Sequence, residues 1–382
     1  MHESNVTLNG LQLQAGVPRV VAETGVGHCW YPDLLQFSTG ELMLNYSLND
    51  DSNDNQANAQ AVRISTDGGS TFPFAYDVNG FHNSGGEPRL SLPDGRIIGT
   101  STFLKPDPPD QARRFVAHYW CYDRGGQRYC VEPWGASVEG LPRDVKPRAE
   151  QSRTWWSHIN WFSDILQLDD KSLITTLSMR FAGDELETTV ALRSKDEGRH
   201  WHYLSTIAGA DAVPDANEGF DEPCLVQLED GELMCISRVG SSAGQFLART
   251  YSSDGGSTWS PLDRLPAYSV APQIARLANG VLALSTGRPG LFLWFSADAR
   301  GQHWQTFDVQ QYHNKVLDKK YHIGEMNNTV KDQTTAYTAL VEVTPNHLLL
   351  VYDRSPFGWS PVPAGSDERS QIFMLEMDVQ RV

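Results

Sequence analysis

Long hydrophobic runs are missing from this chain. No stretch of its 382 residues approaches the ~20 apolar residues that a membrane-spanning helix needs. Cysteine is scarce and odd in number, five in all, so the sequence does not encode a disulfide framework. Cys121 and Cys130 flank a Gly-Gly turn and either pair across a hairpin or stay as two thiols. No Cys/His spacing resembles a zinc site, and no metal ligand or cofactor is expected, although the acidic loop Asp50–Asp54 leaves room for a structural cation. Positive charge is also short: 31 Lys and Arg stand against 47 Asp and Glu, a formal charge of −16. That balance argues against nucleic acid or an anionic membrane surface as partner and suits a solvated acidic surface. The start, MHESNVTLNG, lacks a basic segment followed by an apolar block, so no signal peptide is read; this favours the cytoplasm unless the chain is a trimmed secreted form.

What the chain has instead is Trp (11), Gly (32) and Pro (21) spread over many short apolar segments, the mark of short strands and frequent turns. One pattern recurs, Ser-x-Asp-x-Gly-x-x-aromatic after a short apolar run. It occurs at Ser65, Asp67, Gly69 and Phe72, at Ser194, Asp196, Gly198 and Trp201, and at Ser252, Asp254, Gly256 and Trp259. A fourth copy with one extra residue uses Ser296, Asp298, Gly301 and Trp304, and Cys121, Asp123, Gly125 and Tyr129 form a degraded fifth. In such a turn the Asp carboxylate accepts from nearby backbone N–H groups, Gly supplies a positive φ, and the aromatic packs beneath. A second series of tight hairpins turns at Thr39-Gly40, Asp94-Gly95, Asp169-Asp170, Asp230-Gly231, Asn279-Gly280 and Pro345-Asn346. Together the two series give units of four strands. Six such units predict an all-β, six-bladed propeller with one domain over residues 1–382, its ring closed by Arg19–Glu23 pairing beside Gln371–Val379.

The innermost strand of a blade starts near the central cavity, so residues just ahead of the tight hairpins are candidates for one shared site. These include Trp30-Tyr31-Pro32-Asp33, Glu87-Pro88-Arg89, Asn160-Trp161, Asp221-Glu222-Pro223, Pro272-Gln273 and Tyr337, with Arg238, Arg288 and Asp353-Arg354 on the returning strands. Carboxylates, arginines and aromatics in one mouth suit a sugar: Arg grips a carboxylate with two parallel hydrogen bonds, and Trp or Tyr stacks on a ring.

The repeated turns resemble the Asp-box motif, and their arrangement resembles the sialidase (neuraminidase) superfamily from about residue 26 to the C-terminus. EPCLVQLEDGELMCISR resembles the blade that carries the carboxylate partner of the nucleophile and a substrate-binding arginine, which implies Glu222 and Arg238. GRPGLFLWFSAD and AYTALVEVTPNHLLLVYDR imply a second arginine at Arg288, the tyrosine nucleophile at Tyr337, and an orienting acid at Asp353. The acid/base loop of that family corresponds to NDDSNDNQ, where Asp54 is best placed and Asp51 next. One position departs: the family's Arg-Ile-Pro is replaced by Trp30-Tyr31-Pro32, so Trp30 stands where the first arginine of the triad is expected.

The resemblance implies an exo-acting, retaining glycoside hydrolase that removes a terminal, acidic or related sugar from a glycan. A phenol with a free pKa near ~10 needs a neighbouring base, which Glu222 provides, and tyrosine nucleophiles are a sialidase exception to two-carboxylate chemistry. Asp54 then protonates the leaving oxygen. Glu87-Pro88 repeats the Glu222-Pro223 pattern, so Glu87 is either repeat grammar or half of a catalytic carboxylate pair. Two other readings fit the same residues: a propeller polysaccharide lyase using Tyr337 and a histidine such as His158, and a glycan-binding propeller without catalysis. His322 also lies within reach of the mouth in this reading.

Overall fold

The tight hairpins form as their turn residues dictate. In five of them an apolar residue closes the turn through its backbone N–H: Phe37 donates to Glu41 O, Leu92 to Arg96 O, Leu168 to Ser172 O, Leu228 to Glu232 O and Leu277 to Val281 O. Within each turn one residue takes a positive φ, Gly40 at 96°, Gly95 at 91°, Lys171 at 67°, Gly231 at 85° and Gly280 at 79°. Glycine does so without a Cβ clash; Lys171 shows that the turn at Asp169-Asp170 keeps the same geometry without it.

The computed structural model describes residues 4–48, 59–79, 88–102, 104–108, 112–123, 128–147, 159–161, 163–213, 215–216, 218–240, 246–265, 270–324 and 333–382. Asp54, Glu87 and His158 fall outside this set. The fold is an all-β propeller. Strands Trp30–Gln36, Leu42–Ser47, Ala59–Ser65 and Phe74–Asn79 make one antiparallel sheet. A ten-stranded sheet divides into two antiparallel halves, joined where Ser137, Val138 and Glu139 run parallel to His200, Trp201 and His202. Two further four-stranded sheets follow: Asp221–Gln227, Leu233–Arg238, Leu247–Ser252 and Asp263–Leu265, then Gln273–Arg276, Leu282–Gly287, Leu291–Ser296 and Gln305–Asp308.

The last sheet closes the ring. Thr338–Thr344, His347–Arg354 and Ser370–Arg381 are joined by Arg19–Thr24, with Gln371 opposite Glu23 and Met374 opposite Arg19. The closing pair is the one read from sequence. An additional hairpin, Ser4–Leu8 with Leu11–Ala15, was not read; it lies along the far half of the same strand, Leu11 opposite Arg381 and Ala15 opposite Met377.

The core follows the same circular order. Phe37, Met43 and Ile64 of the first sheet pack on Ile97 and Trp120 of the second unit, and Ile98 and Phe115 pack on Trp161, Leu177 and Trp201 of the third. Ile174 and Ile207 then meet Leu225 and Leu233, Met234 and Ile236 meet Leu282 and Leu284, and Phe295 meets Leu350 and Phe373. Finally Leu349, Val351 and Ile372 return to Leu34 and Leu44. Each neighbouring pair of units thus buries its own apolar cluster, so the hydrophobic effect fixes every unit against two others.

Cys121 and Cys130 sit directly opposite one another in register, and the five cysteines are free thiols.

Candidate functional site

Strand direction places the site. In the fourth unit Asp221 pairs with Arg238, which pairs with Leu247, whereas Gln227, Leu233 and Ser252 meet at the other end. The start of the inner strand therefore lies opposite the Ser-x-Asp-x-Gly turns. At this end several units share a backbone irregularity. The register slips between Trp30 and Asp33 and again between Asp221 and Cys224. Tyr31 (φ 51°), Glu222 (43°), Ala271 (40°) and Ala336 (62°) all adopt positive φ at the entrance of an inner strand, the first three directly before a proline. Residues with a Cβ take this conformation at a cost of about 1–3 kcal/mol each, so surrounding contacts must hold it.

Those contacts converge on Glu222 and Tyr337. The Tyr337 hydroxyl donates to Glu222 Oε1. Arg238 Nη1 lies 2.9 Å from the same oxygen, and the Ala271 N–H donates to Glu222 Oε2 at 2.6 Å. Glu222 is 4% exposed. Burial opposes its ionisation, but Arg238, the Tyr337 hydroxyl and the Ala271 amide outweigh burial and hold the carboxyl below its usual range. Tyr337 moves the other way: burial and the Glu222 charge push its phenol well above the ordinary value. The shared proton therefore belongs to tyrosine, and Glu222 is the ionised acceptor. Behind the pair, Asp221 accepts from the Ser178 hydroxyl and from the Glu222 N–H, the latter at 2.8 Å; burial and the Glu222 charge raise its carboxyl.

Arg288 reaches the pair from the next sheet. A Cβ on Gly287 would fall 2.4 Å from the Ala336 Cβ, so glycine permits the close approach that lets Arg288 Nη2 donate to Thr335 O at 2.9 Å. Its guanidinium lies 5.8 Å from the Tyr337 ring centroid and 5.1 Å from that of Trp359. Tyr31 meets the Tyr337 ring edge-on at 4.9 Å and Trp359 at 6.2 Å. Arg238 also pairs with Glu218, Nη2 to Oε2 at 2.6 Å.

The structure thus brings together four of the residues singled out from sequence: Glu222, Arg238, Arg288 and Tyr337. Two are corrected. Trp30 is fully buried, stacked on His28 at 3.9 Å and edge-on to Trp359 at 5.8 Å, so it supports the aromatic wall and does not face a ligand. Asp353 is likewise fully buried and pairs with no arginine among the described residues. It accepts from the Thr334 hydroxyl at 2.8 Å, the Thr335 N–H at 2.7 Å and the Tyr31 N–H at 3.1 Å, which ties the loop before Tyr337 to the first inner strand. Burial raises its carboxyl against these bonds. Asp54 and Glu87 lie outside the described residues. Two positions on from Glu87, Arg89 is 3% exposed and pairs with Asp33. Burial lowers Arg89 to about 10, with Asp164 opposing the shift. His322 points away into its own loop, its Nε2 3.2 Å from Leu317 O.

Sequence reasoning passed over Glu218, Trp359 and the Ala271 amide. Glu218 lies in a connection with no strand period ahead of the Asp221 strand, and Trp359 in a Pro-rich connection that likewise has none. Of the Trp30-Tyr31-Pro32 stretch, Tyr31 is the ring that packs against Tyr337 and Trp359, itself buried at 3% exposure.

Residues 153–344 match the BNR repeat-like domain family. The chain belongs to that family. Its fold is shared by a Dyadobacter fermentans protein of unknown function (16% identity, TM-score 0.68, covering 98% of this chain and 100% of that one). It is also shared by the Hadza microbial sialidase Hz136 (15% identity, TM-score 0.61, 93% and 66%). A third similar structure is the Penicillium chrysogenum α-L-arabinanase complexed with arabinobiose (13% identity, TM-score 0.60, 95% and 98%). No match is found among curated proteins. Members of this architecture therefore include glycoside hydrolases with different sugars, which makes the side chains at the mouth, and not the fold, the guide to chemistry.

Proposed function

We propose that this BNR-family propeller is an exo-acting, retaining glycoside hydrolase with Tyr337 as nucleophile and Glu222 as its base. The observation that carries the reading is the Tyr337–Glu222 hydrogen bond with Glu222 held ionised by Arg238. Both Glu222 oxygens already accept hydrogen bonds, from Tyr337 and Arg238 on one and from Ala271 on the other. That leaves the tyrosine oxygen, on a partly exposed side chain, as the atom able to approach a sugar. In the first step the tyrosine oxygen bonds to the anomeric carbon and its proton passes to Glu222. The bond to the leaving oxygen breaks as that oxygen takes a proton from an acid, a role we assign to Asp54. Water then attacks the anomeric carbon, Asp54 accepts its proton, and the tyrosine leaves with the proton returned by Glu222. Trp359 and Arg288, both partly exposed, form the wall on which the sugar ring rests.

The test is hydrolysis of a panel of aryl glycosides containing an aryl α-sialoside, uronides and neutral sugars. Release of the aryl alcohol with net retention at the anomeric carbon is expected from at least one member. An unsaturated uronate product, detected by its far-ultraviolet absorbance, points to a lyase instead; saturable sugar binding with no product contradicts catalysis.

A further inference from the structure

The fifth sheet does not end in a plain turn. Its last strand, Gln305–Asp308, runs straight into the helix Val309–Val316, which Asp308 caps by accepting the Gln311 N–H at 2.8 Å. One side of this helix is locked into the core. Val309, Tyr312 and His313 are buried, the Tyr312 hydroxyl donates to Ala15 O and Gly16 O at 3.1 Å each, and His313 bridges the Tyr352 hydroxyl and Tyr321 O. The other side, with Gln310, Gln311 and Asn314, borders a cavity of about 430 Å³ that Pro289, Gly290 and Phe292 also line. The cavity lies at the same end of the sheets as Tyr337. There Gly287 pairs with Leu291 and Phe292 with Asp308, whereas Leu282 pairs with Ser296 at the turn end. The chain itself joins the cavity to the site, because Pro289 directly follows Arg288.

We propose that this cavity is a second sugar subsite, holding a neutral unit on the leaving-group side of a glycan whose terminal sugar sits at Tyr337. The proposal rests on the glycosidase reading above and extends it outward along the Arg288 wall. Half-buried Phe292 offers an aromatic surface to the C–H groups of a sugar ring. A Cβ on Gly290, at φ 75°, would fall 2.9 Å from Phe292 Cε2, so glycine lets the turn close against that ring. Beside it stand hydrogen-bonding groups that are held in place. Gln310 Nε2 donates to Ile323 O and Gly324 O at 3.3 and 3.1 Å, which leaves Oε1 as an acceptor, 3.6 Å from where the Gly290 Cβ would stand. Asp308 caps the helix through Oδ1 and keeps Oδ2 for a hydroxyl. Asn314 uses both ends of its amide on Ile323 and backs the wall, while the exposed Gln311 amide both donates and accepts. Fixed acceptors beside an apolar ring suit the hydroxyl donors that surround the apolar face of a sugar. A carboxylate or sulfate brings only acceptors, which Gln310 Oε1 and Asp308 Oδ2 do not match. An exo-acting enzyme must also lead the rest of the glycan out of the mouth, and Arg288-Pro289-Gly290 leads here.

The experiment uses the full chain and four oligosaccharides with a neutral unit on the leaving side: sialyllactose, lactose, maltose and arabinobiose. Each is compared with the aryl glycoside of the same terminal sugar, and the readout is the ratio of the two kcat/KM values. Phe292→Ala is expected to lower the ratio of oligosaccharide to aryl glycoside by about tenfold, mainly through KM. Asp308→Asn keeps the helix cap but turns the Oδ2 acceptor into an amide donor, and is expected to lower the ratio by about threefold. Melting curves verify folding; should Phe292→Ala not fold, Asp308→Asn decides. A ratio unmoved in the folded variant overturns the subsite. If no glycoside is cleaved, the glycosidase reading fails, and calorimetric titration of the same four oligosaccharides decides the subsite instead. Binding of at least one that weakens in the variant then supports the cavity as a sugar site; no binding, or equal binding by wild type and variant, overturns it.

Discussion

The Ser-x-Asp-x-Gly turns at one end of the sheets and the loops around Tyr337 at the other use the same residue types, carboxylates, hydroxyls and aromatics, in contrasting ways. At the turn end the pattern is copied. Ser65, Ser194, Ser252 and Ser296 donate to Asp67, Asp196, Asp254 and Asp298 at 2.8, 2.8, 2.9 and 2.8 Å. Each Asp also accepts a backbone N–H four residues on, from Thr71, His200, Thr258 and Gln302. The indoles of Trp201, Trp259 and Trp304 donate to the carbonyls of Gly198, Gly256 and Gly301. These carboxylates are satisfied locally, within a few residues of sequence. At the site end nothing is copied except the positive-φ entrance. Glu222 is satisfied by Tyr337, Arg238 and Ala271, which are 115, 16 and 49 residues away in sequence. Local closure makes a turn; long-range closure makes a site that depends on the whole ring.

The largest effect that follows is on activity. Tyr337→Phe and Glu222→Gln are each expected to lower kcat/KM by about 10³-fold or more, with circular dichroism and melting curves close to wild type. Rates near wild type in either variant would erase the distinction between the two ends. The pH profile sharpens it. Because Arg238, Tyr337 and Ala271 together overcome burial and depress the Glu222 carboxyl, the acid limb that this group imposes on kcat/KM lies below the ordinary glutamate value of about 4.3. An acid limb at about 6 would mean that Glu222 is not the ionised partner.

The smallest effect lies at the other end. Asp254→Ala removes acceptors for the Ser252 hydroxyl, the Thr258 N–H and the Thr258 hydroxyl. It is expected to lower the Tm by about a few degrees and to leave kcat/KM unchanged. The same hydrogen bonds, led by those from Thr258, bring Asp254 down to about 2 from 3.8, and those from Thr71 do the same for Asp67. Depressed acids stabilise the fold above their unfolded value, so this contribution is complete above about pH 4 and fades as pH falls toward 2. An Asp254→Ala variant that lost activity at an unchanged melting point would break the comparison.

The contrast also explains what could be read from the sequence. The turns were legible because their partners lie four residues apart, and the propeller because hairpin signals recur in each unit. Glu222, Arg238, Arg288 and Tyr337 were legible because each sits at or directly beside the end of a strand whose hairpin recurs from unit to unit. Glu218 and Trp359 belong to loops without period, and nothing in EGFDEP or FGWSPV announces that they meet an arginine from elsewhere. Trp30 was expected in the place of a substrate-binding arginine, but its burial depends on His28 and Trp359, which sequence order does not bring together; Asp353 was expected to orient an arginine, but it accepts from Thr334, Thr335 and Tyr31.

The measurement that tests the central claim most directly is covalent trapping with a fluorinated sugar inactivator of whichever configuration the panel selects, followed by peptide mapping. A fluorine beside the anomeric carbon slows breakdown of the glycosyl-enzyme, so the nucleophile carries the label. The account predicts one sugar attached to the peptide containing Tyr337, through its phenolic oxygen. A label on Glu222 would contradict it, turning that residue into the nucleophile and Tyr337 into its hydrogen-bond support.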